Sequence, residues 1–389
     1  MFKLPDYIGP LAFGLKMGVI LPGTDLVKEI TAAVEKVASD GLLSDQDVIC
    51  VTESVVARSQ GNYVTVDEVV REIKDKLQIA DDAVIGVLFP MASRNRFSLI
   101  LQGIARAVPR GEVVVQFSYP ADEVGNRLVS PAALEAMEIK NGLIRYEELE
   151  PRYCLHPVTK VNYPALYYEI ITREKAKATI IFSNNPLQIL AYEPDGVIAA
   201  DIHNRKKTCR ELREAGANCI TLQDLCNEGE KSSEWGLLGS NMSANCRLKL
   251  APRNATEFAR ELQEEIKETT GFRVEVLVYG DGAYKDPSTG IYELADPMPV
   301  FGMTEGFSGR FRGGVKYKYI ADLCHAEGKS AEEIEKLLAA YNKQPPARDD
   351  LITEGTTPRR IEDIIASLAD LVSGSSDAGT PVVIVKGIL

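Results

Sequence analysis

Histidine and tryptophan are scarce in this chain of 389 residues, which holds three of the first and one of the second. So few imidazoles make a histidine-built metal centre unexpected. The seven cysteines, at positions 50, 154, 209, 219, 226, 246 and 324, are odd in number and include no C-x-x-C pair. Neither a disulfide framework nor a zinc knuckle follows, and reduced thiols, mostly in the core, are expected. Nowhere is there a run of about 18 uncharged apolar residues to cross a membrane. Residues 1–18 carry Lys3, Asp6 and Lys16 where a secretory leader has an apolar run, so a cytoplasmic protein is expected. Positive charge is short as well: 44 Lys and Arg face 56 Asp and Glu, a formal net charge of -12. That balance excludes a general nucleic-acid or membrane-surface binder, which needs a basic footprint. It leaves room for a small anionic ligand, since a few local cations suffice for a phosphate.

Common site signatures are missing too. There is no G-x-x-x-x-G-K-[ST] loop, and Gly229-Glu-Lys-Ser232 lacks the spacing that wraps backbone amides around a phosphate. Gly280-Asp-Gly282 opens like a dinucleotide fingerprint but has no third glycine. Neither a G-x-S-x-G elbow nor an H-E-x-x-H helix occurs.

What is present is an α/β pattern. A hydrophobic share of 45% supports a full core, and the length suits about two or three units of ordinary domain size. Asp25 to Val37 puts Leu26, Ile30, Val34 and Val37 on one helical face, with Thr24 as the expected N-cap. Asp47 to Thr52 is a short β-branched run of the buried-strand type. The spacing predicts further helices at 66–77, 97–108, 205–215, 254–270, 330–341 and 361–372. Gly216 and Gly271 stop two of them. Strands are expected at 83–89, 112–119, 178–182, 196–200, 218–222, 273–279 and 381–385, and a loop at 343–350. Strands alternating with helices predict mainly parallel pairing.

Three segments carry a family resemblance. Gly23-Thr-Asp-Leu26 followed by Asp47-Val-Ile-Cys-Val-Thr-Glu-Ser-Val-Val-Ala-Arg-Ser-Gln-Gly61 resembles a G-D-D-L helix start and a strand entering a T-x-V-x-S-K-A-E-G turn. Leu238-Gly-Ser-Asn-Met-Ser-Ala-Asn245, then a helix, a strand and Gly280-Asp-Gly282, is similar to a G-x-D-x-S-N, helix, strand, D-T-x-G-R order. Ser373-Gly-Ser-Ser-Asp-Ala-Gly379 and Pro381-Val-Val-Ile-Val-Lys-Gly387 resemble M-G-E-x-x-x-G-x-P-V-V-V-R-G-L. These are features of the coenzyme F420 γ-glutamyl ligase family. The likeness covers roughly residues 18–61 and 236–389 and leaves 91–235 outside it.

The resemblance implies an α/β fold with mixed sheets of the F420 γ-glutamyl ligase type and an additional α/β lobe. Residues 1–90 and 236–389 would form the ligase-like core, the latter with the nucleotide and metal site. Residues 91–235 would be an inserted, acceptor-binding lobe. It further implies a homodimeric enzyme using GTP, or ATP, with Mg2+ or Mn2+. Such an enzyme joins an amino acid, glutamate in the family, to a small-molecule carboxylate through an acyl phosphate. Phosphorylation turns a carboxylate oxygen into a leaving group, and metals neutralise charge on the transferring phosphoryl group.

Carried over residue by residue, Asp281 is a metal ligand, and Asn241 stands where the family has a second metal-binding aspartate. Arg58, Asn245, Gly374, Asp377 and Gly379 are the nucleotide-contacting positions. Gly282 and Ser375 replace a threonine and an acidic ligand, with Asp286, Asp377 and Glu305 as candidate compensating carboxylates. These departures keep a second expectation open, a non-catalytic nucleotide- or metabolite-binding protein on the same fold. In the middle stretch, Ser93-Arg-Asn-Arg96 opens a helix, so Arg94 and Arg96 are candidates for an acceptor's anion. His156 and Lys160 are further acceptor candidates, and Asp201-Ile-His203 follows a strand end. A lone histidine more often hydrogen-bonds a neighbour than catalyses.

Overall fold

The computed structural model describes residues 5, 7–136, 142–157, 159–281, 284–285, 292–293, 296–312, 315–343, 359–373 and 379–389. In chain order it begins with β1 (Leu11–Leu15), α1 (Leu26–Ser39), β2 (Val48–Thr52), α2 (Glu53–Ser59), β3 (Tyr63–Thr65) and α3 (Val66–Leu77). There follow β4 (Val84–Leu88), α4 (Arg94–Ala107), β5 (Glu112–Phe117), α5 (Pro131–Ala136), β6 (Ile144–Arg145), α6 (Tyr163–Arg173) and β7 (Lys177–Phe182). Next come β8 (Gly196–Ala199), α7 (Arg205–Glu214), β9 (Cys219–Thr221), β10 (Asn241–Ser243), β11 (Arg247–Lys249), α8 (Ala255–Thr270) and β12 (Glu275–Tyr279). The chain closes with β13 (Val300–Met303), α9 (Tyr317–Ala326), α10 (Ala331–Lys343), α11 (Ile361–Ser373) and β14 (Val382–Lys386).

Local chemistry fixes several ends. Asp25, one residue after the expected Thr24, caps α1 by accepting from the Lys28 amide at 3.2 Å. Thr24 instead accepts from the Leu21 amide at 3.1 Å, tightening the entering turn. Thr65 and Glu68 form a reciprocal capping box on α3. Gly271, at φ +79°, takes the left-handed position that ends α8.

Two sheets organise the molecule. The first has the order β1–β14–β2–β12–β13, so strands from both ends of the chain interleave. Its pairings are antiparallel except β2 with β12. That departs from the mainly parallel expectation because β14 runs back between β1 and β2. Helices α1 and α8 cover one face, around Ile30, Val34, Leu262 and Val276, and α11 covers the other with Ile365 and Ala369.

The second sheet has the order β6–β7–β5–β4–β8–β9 and is parallel throughout except for β6. Helices α3, α4 and α6 cover one face, and α7 with the short helix Pro186–Tyr192 covers the other. Because both faces are covered, its strands read as continuous apolar runs. Its central strand β4 precedes residue 91, where sequence reading began the middle lobe. A strand and its crossover helix are one unit, so β4 goes with α4. A three-stranded sheet, β10–β11–β3, bridges the two units.

Candidate active site

The parallel strands β2 and β12 end side by side, and the chain leaves them at Thr52 and Tyr279. Glu53 opens α2 directly after β2, and Gly280-Asp281 follows β12. Three other pieces converge there: the first turn of α4, the β10–β11 hairpin and the end of α11. Together they enclose a cavity of about 380 Å³ lined by Glu53, Arg58, Arg96, Asn241, Lys249 and Asp281, with Asp370 and Ser373 from α11. Grooves of larger volume exist, one of about 870 Å³ beside Asp25, Gln60 and Arg253. The smaller cavity is the better candidate because it gathers buried charge of both signs.

Arg96 ties the two units together. Its guanidinium donates to Asp281 at 2.5 Å and to Asp296 at 2.8 Å, with 16% of its side chain exposed. Asp296 is buried and also accepts from the Asp281 amide at 2.9 Å. Glu53 and Lys249 form a second buried pair, with both carboxylate oxygens 2.9 Å from the ammonium. Burial, then Asp296, push the Asp281 carboxyl up to about 7 against the pull of Arg96, with Glu53 and Asp370 adding to the rise. Burial also raises Glu53, opposed first by Lys249. Burial alone would depress Arg96, but Asp296 and Asp281 hold it above its ordinary value.

Of the candidates read from sequence, Arg58, Arg96, Asn241 and Asp281 all line this cavity. Arg96 is committed to carboxylates there, and Asn241 accepts from Asn95 at 3.0 Å. Asn245 sits outside it, exposed in the hairpin turn at φ +60°. Gly379 adopts φ +68° and accepts from the Met17 amide at 3.1 Å. Gly374, Asp377, Gly282, Ser375 and Asp286 lie outside the described residues. Glu305 lies at the other end of β12, paired with Arg260 at 3.3 Å, so it adds no carboxylate here. Arg94 is exposed on the first turn of α4, and Lys160 donates to the Pro157 carbonyl at 2.7 Å. His156 is buried, accepts from the Thr159 amide at 3.2 Å and packs edge-on to Tyr163. None of those three lines the cavity.

Sequence reading missed Glu53, Lys249, Asp296 and Asp370. The one available signal was Glu53, an acid directly after a β-branched run and so at a strand end. Asp296 falls in a stretch without periodicity, where only the fold brings it back to Asp281.

The donor set bears on a divalent metal. Among the described residues, no group of three or more His, Cys, Asp or Glu forms a ready cage. A Mg2+ ion carried by a nucleotide needs less, one or two carboxylates beside the phosphates. Asp281 with Asp296 offers that number of carboxylates, both of them bonded by Arg96, and Arg58 lines the same cavity.

These features define a two-unit α/β protein with a charged cleft at the ends of parallel strands. The chain belongs to the F420-0:gamma-glutamyl ligase family, whose model matches residues 14–387. The match runs through the middle stretch as well as the two ends where the motifs lie. No curated protein matches the chain. Membership makes it a member of a ligase family, and among the described residues no helix is long and apolar enough to cross a membrane.

Proposed function

We propose that the protein is an acid–amino-acid ligase that joins an amino acid, glutamate by the family's name, to a small-molecule carboxylate at the expense of GTP or ATP. The observation that carries this reading is the convergence of Arg58, Arg96 and Lys249 with Asp281 and Glu53 in one cavity, with the buried Asp296 bonded to the Asp281 amide behind it. In the first step a carboxylate oxygen of the acceptor attacks the terminal phosphorus of the nucleotide, releasing nucleoside diphosphate and leaving an acyl phosphate. In the second, the amino nitrogen attacks the acyl carbon, phosphate departs, and the nitrogen loses a proton. The chain's contribution is positioning and charge: Arg58 would face phosphate oxygens, Arg96 holds Asp281 and Asp296 in place, and Lys249 is held by Glu53. Asp281 and Asp296 would hold Mg2+ or Mn2+, which supplies charge neutralisation at the transferring phosphoryl group. The first turn of α4 brings the middle unit to this cleft, so that unit borders the acceptor. A homodimer belongs to the same reading.

The test is phosphate release from GTP or ATP in mixtures of carboxylates and amino acids, with the melting temperature followed alongside. GTP or ATP with Mn2+ should raise melting, because a ligand that binds only the native state stabilises it. Asp281→Asn should lower turnover by at least about 100-fold while leaving the fold intact, since it removes the charge beside the phosphates. Arg58→Ala should shrink the nucleotide's melting shift, and Asn241→Asp should tighten Mn2+ binding. No shift with either nucleotide at millimolar concentration would remove the main support for the ligase reading. A shift without turnover on any mixture would favour a non-catalytic binding protein.

A further inference from the structure

The second sheet carries a crevice that the cleft above does not use. Along β7–β5–β4–β8–β9 the chain starts at β4 and moves outward through β5 to β7. It then returns to the other side of β4 for β8 and β9. The order reverses between β4 and β8, and open parallel sheets bind ligands outside the carboxyl ends of their strands at such a reversal. A cavity of about 370 Å³ lies there, with lining from the segments after β4, β5, β7 and β8: Phe89, Ser118, Asn184 and Asp201.

Asp201 is the unusual group. It is 3% exposed, accepts from the Thr208 hydroxyl at 2.9 Å through Oδ2, and leaves Oδ1 buried without a hydrogen-bond partner. An unsatisfied carboxylate oxygen in that position is costly unless something donates to it. Burial, then the negative charge of Glu123, hold this carboxyl up to about 7, while the Thr208 hydroxyl, the residue's own backbone amide and Arg205 act in the opposite sense. Arg205 does not satisfy it directly, since its guanidinium is spent on Gln223 and the Ile202 carbonyl.

Charge decides what kind of ligand fits. In many nucleotide folds the amides at a helix start receive a phosphate. Here the Glu123 carboxylate occupies that place at the start of α7. It accepts from the Ile202, His203 and Asn204 amides at 2.6 to 3.0 Å and from Asn204 Nδ2 at 2.8 Å. Asp122, Glu123, Asp201 and Glu211 line the cavity against a single lysine, Lys207, which stands 3.9 Å from Glu211. An anion would meet carboxylates where it needs donors, whereas an ammonium would find acceptors on several sides.

We infer that this crevice is a second ligand site, for a small molecule bearing an ammonium group that donates to Asp201 and lies beside Glu123. The site stands apart from the nucleotide cleft, so it does not depend on the ligase reading.

The test is isothermal titration calorimetry of the purified full chain with putrescine, ribose and inorganic phosphate as probes. Putrescine should bind saturably, and ribose and phosphate should give no binding heat. Asp201→Asn, which keeps shape and removes charge, should weaken putrescine by about tenfold or more. Lys207 is 72% exposed in its side chain, so Lys207→Glu should fold normally. Lys207→Glu should tighten putrescine about threefold by removing the competing cation. Circular dichroism checks the fold of each variant. Silence with putrescine, equal affinity in Asp201→Asn and the parent, or preference for ribose or phosphate would overturn the assignment. Should Asp201→Asn fail to fold, unchanged affinity in Lys207→Glu overturns it instead.

Discussion

Arg96 sits between Asp281 and Asp296 with most of its side chain out of water. Removing one partner from such an arrangement is costly, because charges remain buried without compensation. Arg96→Leu should therefore destabilise the protein by about 3–5 kcal/mol in urea titrations. Millimolar Mn2+ should restore more stability to this variant than to the parent, since a dication can stand beside both carboxylates. A variant as stable as the parent would show that the bridge contributes little. The same residue illustrates what could be read at this scale. Asp281 and Arg58 were legible as a strand-end acid and a cation in a recognisable turn. That Arg96 reaches Asp281 and Asp296, 185 and 200 residues away, was not, because no local pattern encodes so distant a partner. A helix-opening arginine looks the same from sequence whether it awaits an anion or is already paired.

At the scale of elements, the turn after β12 is built on close approach. A Cβ placed on Gly280 would lie 2.5 Å from Asp296 Oδ2 and 2.5 Å from Phe301, both fixed side chains of the first unit. Gly280→Ala should push Asp296 off the Asp281 amide, with a stability loss of about 1–3 kcal/mol from overpacking. Turnover should fall more steeply than stability, and kinetics alongside thermal melts would show it; unaltered turnover would place Asp296 outside the chemistry. Elements themselves were well marked where periodicity was long. Helices α1, α7, α8 and α11 and strands β2, β4, β7 and β14 fall within a few residues of expectation. The β10–β11 hairpin escaped notice because Asn241–Ser243 and Arg247–Lys249 carry no apolar run, unlike the equally short β8 and β9, and β13 escaped as well. Sheet pairing also escaped in part: alternation predicts parallel neighbours, but the return of β14 is a long-range event that local patterns do not record.

On the scale of the whole molecule, the first sheet depends on the last strand of the chain. Strand β14 lies between β1 and β2 and bonds to both, and Val382, Val383, Ile384 and Val385 are fully buried. Burying four such side chains contributes about 1.5–3 kcal/mol each, against a typical net stability of about 5–15 kcal/mol for a domain. Its Lys386 is 2% exposed, pairs with the buried Asp47 and donates to the Leu42 carbonyl at 2.8 Å. Deleting residues 382–389 would thus open a gap in the sheet and strand Asp47 without its cation. The truncated chain should lose the melting transition of the first unit and its nucleotide-induced shift. The second sheet has its own covered faces, so residual helix and strand signal should persist in circular dichroism. A synthetic peptide of residues 380–389 added in trans should restore part of the lost transition, as an added strand completes an open sheet edge. A truncated protein that melts at the parent's temperature would mean that β14 does not hold the two ends of the chain together.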